Sequence, residues 1–308
     1  MIDWESDFIK YLRACGVTLR TEKTYVNWVR KYMESGFLAN PRRFSESDLG
    51  AFLNYLKSEK ETSSSSLNQA RYALLKFAKS LSLDFDEERV QTVSRNTPHR
   101  NVASLSSRDC DRLIDSLEGD SRLLVGFCYG SGLRASEVVG LRIRDIDLAR
   151  RLITVGGGPA ARPRVTVFSS ELLSDLEVHI EYLTRLFLQD QEMQIQGVWI
   201  RGEKAGAQKE QPLDWQWVFP SRKLYLDPRN GKRTRHHITT NTLRGAIRSG
   251  CEKAGLKRGI SAGVLRDSFG AHLLRAGVGA RDISEIMGLN SRDGLFEEAS
   301  KISSGRDA

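Results

Sequence analysis

The sequence contains no long apolar run and only four cysteines among its 308 residues. A transmembrane helix needs about 18 consecutive apolar residues, and no such stretch occurs. The first residues, 1–5, are acidic where a secretory signal peptide would be basic, so we expect a cytoplasmic protein without a membrane partner. The cysteines lie far apart and form no C-x-x-C pair, which argues against disulfides and against a zinc site. We therefore expect small core cysteines, no metal centre and no cofactor.

Positive charge exceeds negative charge, and the excess lies in one segment. The chain has 47 Lys and Arg against 39 Asp and Glu, a formal charge of +8. Residues 222–258 alone contain eleven basic and two acidic side chains, a net charge of +9. A polyanion such as DNA is the natural partner of this segment, because neutralised phosphates release their counterions. The alternative is a solvated loop with scattered charge.

Helical periodicity dominates the first hundred residues. Apolar side chains recur at helical spacing over 25–32 and 49–56, and a third helix is predicted after the serine run at 63–66. Three or four short amphipathic helices of this kind would form a bundle. Arg20 and Lys23 lie on the polar sides of these helices, where they suit contacts with DNA phosphates or are simply solvated.

A polar stretch at 91–102 divides the chain. It shows neither helical nor strand periodicity, so we predict a linker between an N-terminal helical domain at 1–90 and a larger domain at 103–308. Period-two alternation at 153–155 and 165–167 predicts a small antiparallel hairpin in the larger domain. The predicted fold class is mainly α (α+β), with two domains and a small antiparallel sheet. Helices are predicted around the hairpin over 170–188, 240–254 and 264–287.

An irregular, basic segment at about 190–238 interrupts the larger domain. Three of the five tryptophans, Trp199, Trp215 and Trp217, lie in it among Arg and Lys side chains. Aromatic rings beside cations suit stacking on unpaired bases, at roughly 1–3 kcal/mol per stacked base. The same rings would also serve to anchor a long loop on the core, and the sequence leaves both interpretations open.

Several motifs together resemble those of the tyrosine recombinases, the phage-integrase superfamily. In the larger domain they are SGLRASE at 131–137, LRIRDID at 141–147 and LRDSF at 265–269; in the N-terminal part they are LRTEKTYVNW at 19–28 and SLNQA at 66–70. A narrower resemblance is to integron integrases, because WQWVFPS at 215–221 and RHH at 235–237 look like the insertion that distinguishes that subfamily. The resemblance spans nearly the whole chain.

The resemblance implies a two-domain protein that clamps DNA while a tyrosine attacks the scissile phosphate and forms a phosphotyrosyl link. It implies no metal, since two arginines stabilise the charge on the phosphoryl oxygens. These arginines map onto Arg134 and Arg266. A lysine on the β-hairpin and two histidines would transfer protons. In integron integrases the DNA is a folded single-stranded hairpin, whose extruded bases are gripped by the insertion.

The other catalytic positions of the family are not matched in this chain. Residues 226–308 contain no tyrosine at all. Glycine and leucine transfer no proton, and a glutamate nucleophile would form a labile acyl phosphate. A frameshift after about residue 289 would not account for the losses before it. The positions expected to hold Lys, His, His and Tyr are occupied by Gly158, Gly263, Leu289 and Glu298.

We therefore predict a DNA-binding protein associated with site-specific recombination and integration that is catalytically inactive by itself, a pseudoenzyme. Its partners would be a duplex recombination site, a folded single-stranded hairpin, and either further copies of itself or an active recombinase. Two alternatives stay open: an active recombinase whose nucleophile is unrecognised or supplied in trans, and a non-catalytic DNA-binding regulator. Besides the two arginines, the predicted DNA-binding residues are Arg20, Lys23, Arg162, Arg164, Trp215, Trp217, Arg233, Arg235, His236, His237 and Arg244.

Overall fold

The computed structural model of the chain describes residues 4–36, 45–83, 85, 104–156, 163–196, 212–227, 231–257 and 259–289. Contacts divide the chain into two compact units, residues 1–99 and 100–308. Each unit has a hydrophobic core of its own. No helix among the described ranges combines the length and the apolar character needed to cross a lipid bilayer.

The N-terminal unit contains the predicted helical bundle. Hydroxyl side chains cap the second, third and fourth helices, because each accepts a hydrogen bond from a backbone N–H that the first helical turn leaves unpaired. At the start of the third helix, Ser45 and Asp48 form a reciprocal capping box, for which their spacing of three residues is typical. The helices are α1 (Trp4–Ala14), α2 (Leu19–Glu34), α3 (Glu46–Ser58) and α4 (Ser64–Ser80).

Aromatic side chains fill the centre of this bundle. Tyr32 and Phe52 pack edge to face with ring centroids 5.0 Å apart, and Phe8 and Phe77 do so at 5.2 Å. All four are almost completely buried. Such pairs contribute packing energy beyond the area that they bury, so the aromatic positions fix how α1, α2, α3 and α4 meet.

The C-terminal unit is built around a buried helix, α6 (Gly119–Gly130). Its run 123–128 is apolar and fully buried, because neighbouring helices surround it. This arrangement confirms the mainly helical fold class. The other helices are α5 (Ser107–Asp115), α7 (Ala135–Val139), α8 (Leu173–Glu192), α9 (Thr240–Lys253), α10 (Ala262–Arg275) and α11 (Ala280–Met287).

The predicted hairpin is confirmed as part of a three-stranded antiparallel sheet. Strands β2 (Leu152–Val155) and β3 (Arg164–Val167) pair in a register that places Ile153 opposite Thr166. A two-residue strand, β1 (Ile146–Asp147), extends the sheet on the other side of β2. The prediction of a hairpin thus missed only this short edge strand.

Two other sequence predictions for the C-terminal unit were wrong. The segment at about 190–238 is not irregular throughout, since β4 (Tyr225–Leu226) pairs with β5 (Arg233–Thr234) as an antiparallel ribbon. Both strands are too short to show a period. The single helix predicted over 264–287 is two helices, because Gly277 adopts a φ of +91°, which no α-helix contains.

Three of the four cysteines are buried core side chains, as expected. Cys110, Cys128 and Cys251 lie in the core of the C-terminal unit, and burial raises the pKa of each thiol. Cys15, just after α1, is exposed, so the expectation of a core side chain was wrong there.

Candidate functional site

The turn between α6 and α7 places Arg134 directly before α7. Gly132 has a φ of +62°, and a Cβ at this position would lie 2.7 Å from the ring of Phe269. The Thr166 hydroxyl on β3 donates to the Ser131 carbonyl oxygen at 2.7 Å and holds the turn against the sheet. The SGLR motif is thus a tight turn that only glycine fits, and it fixes where the Arg134 side chain begins.

Three arginines from three different segments converge on the C-terminal end of α11. The carbonyl oxygens of residues 286–288 accept hydrogen bonds, in that order, from Arg164 Nε (3.0 Å), Arg266 Nη2 (2.7 Å) and Arg134 Nη2 (2.6 Å). Arg266 Nε also donates to the Gly132 carbonyl oxygen at 2.8 Å. The last carbonyls of a helix lack helical partners and carry partial negative charge, so cations stabilise them. We name Arg134, Arg164 and Arg266 the arginine triad.

The carboxylate of Glu137 joins two members of the triad. It accepts both Nη groups of Arg164 at 2.9 and 2.6 Å, and Arg134 Nη1 at 3.2 Å. The backbone N–H of Arg134 donates to it as well, at 2.7 Å. Burial acts to raise the pKa of Glu137, but the hydrogen bonds from Arg164 and from the Arg134 backbone outweigh burial and leave this pKa below its ordinary value. Glu137 is therefore charged at neutral pH.

A cavity of about 1280 Å³ lies beside the triad. Arginine side chains from three places contribute to its wall, with acidic groups between them. Because four arginines face three carboxylates within the described ranges, the charged lining is net positive and suits an anion such as a phosphate. Its charged lining residues are Arg134, Arg142, Arg144, Arg164, Glu137, Asp145 and Glu285. Leu289 and Trp215 line it too.

Part of the predicted insertion docks on the residues that follow α7. Two backbone hydrogen bonds, of 3.0 and 2.8 Å, join residues 141–143 to residues 216–218. In addition, Arg142 Nη1 donates to the Trp215 carbonyl oxygen at 2.8 Å. These bonds bring Trp215 to the cavity wall, although Trp215 is about seventy positions from Arg142 along the chain.

Two arginines and two tryptophans form a cation–π cluster at this junction, which we name the Arg–Trp cluster. The guanidinium carbon of Arg142 lies 3.9 Å from the ring centroid of Trp217 and 5.0 Å from that of Trp215. The guanidinium carbon of Arg144 lies 4.1 Å from the Trp215 centroid. Burial lowers the pKa of Arg142, and the faces of the two rings compensate this cation for lost water.

The two neighbouring histidines pack on Trp217. Ring centroids are 4.8 Å apart for His237 and Trp217, 5.6 Å for His236 and Trp217, and 4.1 Å for the two histidines. Burial lowers the pKa of His237, so this ring is neutral at pH 7, while His236 is exposed. No group of three or more potential metal ligands occurs among the described residues.

Three residues predicted to contact DNA point into the protein instead. The Arg235 side chain donates to both carboxylate oxygens of Asp190, at 2.6 and 2.7 Å, and the residue is 8% exposed. The Arg164 side chain, also 8% exposed, is occupied by Glu137 and the end of α11. Trp217 is 9% exposed. To contact DNA directly, these side chains would have to leave the positions that they occupy inside the protein. Their burial could not be predicted from the sequence.

The remaining predicted residues are exposed or fall outside the described ranges. Gly263 lies one turn before Arg266 on α10, and a Cβ there would meet only the Ser261 hydroxyl within 4 Å. Glu137, Arg142 and Arg144 were missed as site residues, although the SGLRASE and LRIRDID motifs contain them. The exposed predicted residues are Arg20, Lys23, Arg233 and Arg244. Gly158, Arg162 and Glu298 lie outside the described residues.

Comparison with known proteins agrees with this fold. Family models match the phage integrase family over residues 96–293 and the N-terminal SAM-like domain of phage integrases over residues 4–83. An integrase/recombinase of Escherichia coli is 31% identical over 291 residues, covering 94% of this chain and 85% of the relative. The tyrosine recombinase XerA of Pyrococcus furiosus is 26% identical over 285 residues, covering 92% and 84%.

Solved structures of similar fold point to the same class. The Tn1549 transposon integrase in complex with transposon right-end DNA has a TM-score of 0.64 at 17% identity, covering 99% of both chains. A λ integrase dimer bound to a core site has a TM-score of 0.62 at 13% identity, covering 96% of this chain and 93% of that one. The chain thus shares the fold of these DNA-bound integrases. It belongs to the phage integrase family, the tyrosine recombinases, whose members bind DNA and recombine it at specific sites.

Proposed function

We propose that this chain binds recombination-site DNA at the cavity beside the arginine triad and does not cleave DNA by itself. The observation that carries the proposal is the convergence of Arg134 and Arg266 on the end of α11. A guanidinium has several N–H donors, so the contacts of Arg134 with Glu137 and Gly288 leave donors for a phosphate. The Arg134 side chain is 37% exposed and accessible to such a ligand.

The lining of the cavity supports the absence of cleavage. Among the described lining residues there is no histidine, lysine or tyrosine. Leu289, which occupies a histidine position of the family, contributes only an apolar side chain to the wall. The Ser284 hydroxyl donates to the Ala280 carbonyl oxygen at 2.8 Å, an ordinary helical contact that activates no nucleophile. A phosphate held here would meet the arginines but, among the described lining residues, no tyrosine to attack it and no histidine or lysine to transfer a proton.

The first prediction is that DNA binds but no covalent protein–DNA adduct forms. The protein would first be used to select duplexes that it binds from random-sequence DNA. Each selected duplex would then be prepared with a single nick, placed at each position in turn. Cleavage next to a nick would leave the protein covalently trapped on the strand. We expect shifted complexes in native gels and no adduct in denaturing gels. A XerA recombinase with its own nicked site serves as the positive control.

Two results would contradict this proposal in different ways. Failure to select any DNA would remove the binding function. An adduct that peptide mass spectrometry maps to a residue of this chain would show that an unrecognised nucleophile is present, and the alternative of an active recombinase would then replace the inactive one.

We further propose that folded single-stranded hairpins bind at the ribbon of β4 and β5 and the two histidines. Arg233 and His236 are exposed there, and His236 lies against the buried Trp217. The exposed His236 imidazole, supported by the Trp217 ring, is suited to contact with an unpaired nucleobase, and Arg233 is suited to binding a phosphate. Trp217 would then support the surface without touching DNA.

The second prediction concerns the balance between hairpin and duplex binding. Replacing both Arg233 and His236 by alanine should weaken binding of a hairpin oligonucleotide roughly tenfold, about 1.4 kcal/mol, and weaken duplex binding less. Gel-shift competition between the two DNAs measures the ratio. Arg185→Ala, an exposed change of one charge on α8, is the control. Equal weakening of hairpin and duplex would contradict a hairpin-specific role.

A further inference from the structure

We propose that Arg144, held by Trp215, is a second phosphate-binding residue of the cavity, and that Trp215 is a positioning residue for it. The inference rests on the proposed DNA-binding function. Arg144 would contact a phosphodiester near the one that Arg134 contacts. It lies in a segment that contributes no member of the arginine triad. The role of Trp215 changes from a platform for a base to a support for a cation.

Arg144 is the accessible member of the Arg–Trp cluster. It lines the same cavity as Arg134 and is exposed, whereas Arg142 is half-buried. Within the part of the chain that the structure describes, the Arg144 guanidinium makes the ring contact with Trp215 but no hydrogen bond or ion pair. Its N–H donors are therefore available to a ligand, which is not true of Arg164 or Arg235.

Trp215, whose ring contacts Arg144, is also held by Arg142. The Trp215 carbonyl oxygen accepts a hydrogen bond from Arg142 Nη1, and the Arg142 guanidinium carbon lies 5.0 Å from the Trp215 ring centroid and 3.9 Å from that of Trp217. Backbone bonds between 141–143 and 216–218 prevent the two segments from sliding. Trp215 thus offers Arg144 a stationary aromatic surface.

A guanidinium on an aromatic ring is well prepared to bind a phosphate. The ring attracts the cation through its face and leaves the N–H edge directed away, where it can form two parallel bonds to phosphate oxygens. An arginine already held in this way loses less conformational freedom on binding than a free one. The adjacent carboxylate of Asp145 accepts the Arg142 backbone N–H at 2.9 Å; its charge interacts with that of Arg144, but no hydrogen bond joins these two side chains in the described part of the chain.

The salt dependence of DNA binding tests whether Arg144 contacts a phosphate. Fluorescence anisotropy of a labelled random-sequence duplex would be measured over a range of salt concentrations. Removal of one cation that neutralises a DNA phosphate should reduce the slope of log Kd against log salt by about 0.9. We expect Arg144→Ala to show this reduction and a roughly three- to tenfold weaker Kd at low salt. Arg185→Ala, with the same charge change on α8, should leave the slope unchanged.

A double-mutant cycle tests whether Trp215 acts through Arg144. If Trp215 positions Arg144, then Arg144→Ala should weaken binding much less in a Trp215→Leu background than in the wild-type chain. If Trp215 instead stacks on a base, the two losses should add, and the positioning role is overturned. Thermal unfolding of each variant shows whether the fold is retained, and Trp215→Phe, which keeps a ring, should retain most of the affinity.

The outcomes separate this inference from the function on which it rests. A wild-type chain that binds no DNA contradicts the proposed function. A wild-type chain that binds DNA, with Arg144→Ala and Arg185→Ala indistinguishable in slope and Kd, overturns the inference and leaves the proposed function in place.

Discussion

Replacing Glu137 by alanine is expected to destabilise the C-terminal unit by about 3–5 kcal/mol. The reason is that the Arg164 side chain is nearly buried and has both Nη groups on this carboxylate. Without Glu137 it would remain charged, out of water and without its counter-ion. Arg134 would lose the acceptor of its backbone N–H as well. Urea unfolding of the full chain, followed by circular dichroism, measures the free energy of unfolding.

Glu137→Gln is the matched control, because glutamine keeps the shape and one acceptor oxygen but not the charge. It should cost less than alanine. The pH dependence adds a second readout: the pKa of Glu137 is lowered in the folded state. Its stabilisation is therefore present above the unfolded pKa of about 4.3 and is lost as pH falls through the folded value. Glu137→Gln should lack this part of the acid-side loss. A change below about 0.5 kcal/mol for alanine would contradict the assigned role.

Replacing Asp190 by alanine should cost a similar amount, about 3–5 kcal/mol, since it leaves Arg235 buried without a counter-ion. Asp190 lies near the end of α8 and Arg235 just after β5, so their pair fastens the ribbon to the helix. We expect the loss to appear first as faster proteolysis near the ribbon and then in the free energy of unfolding.

Two further variants show whether the cost comes from the unpaired cation. Replacing Asp190 by leucine together with Arg235 by methionine removes both polar groups and should return most of the stability. Asp175→Ala breaks an ion pair with Arg122 that is much more exposed, and should cost at most about 1 kcal/mol. If Asp190→Ala and Asp175→Ala had equal effects, burial of the Asp190–Arg235 pair would not be the source of its strength.

Local sequence patterns predicted most of the fold because their signals are contained within a few residues. The apolar spacing over 25–32 and over 49–56 needs only the residues of one helix, and the alternation over β2 and β3 needs only the two strands themselves. The break between α10 and α11 was missed because the apolar pattern continues through Gly277, whose positive φ is a property of the folded backbone. The ribbon of β4 and β5 was missed because two-residue strands have no period.

The site could be predicted only where a motif marked it. The motifs identified Arg134 and Arg266, and the structure brings both to the end of α11. Arg235 and Trp217 were predicted to contact DNA, with a role of Trp217 as a loop anchor left open, and their burial depends on distant partners. Asp190 is 45 positions from Arg235, and no local signal connects them. Arg144 was overlooked for the same reason, since its aromatic partner lies in another segment.

The hydrogen bonds from the arginine triad to α11 give these arginines a structural role besides any role in binding DNA. Each triad arginine is bonded to the backbone of another segment, so a lineage that discards one also weakens its own fold. A Cβ at Gly263 would meet only the Ser261 hydroxyl within 4 Å, so a larger side chain is tolerated there. Under the proposed function, the absence of a proton-transfer group at this position costs the fold little, whereas the loss of a triad arginine would cost it stability whether or not DNA is cleaved.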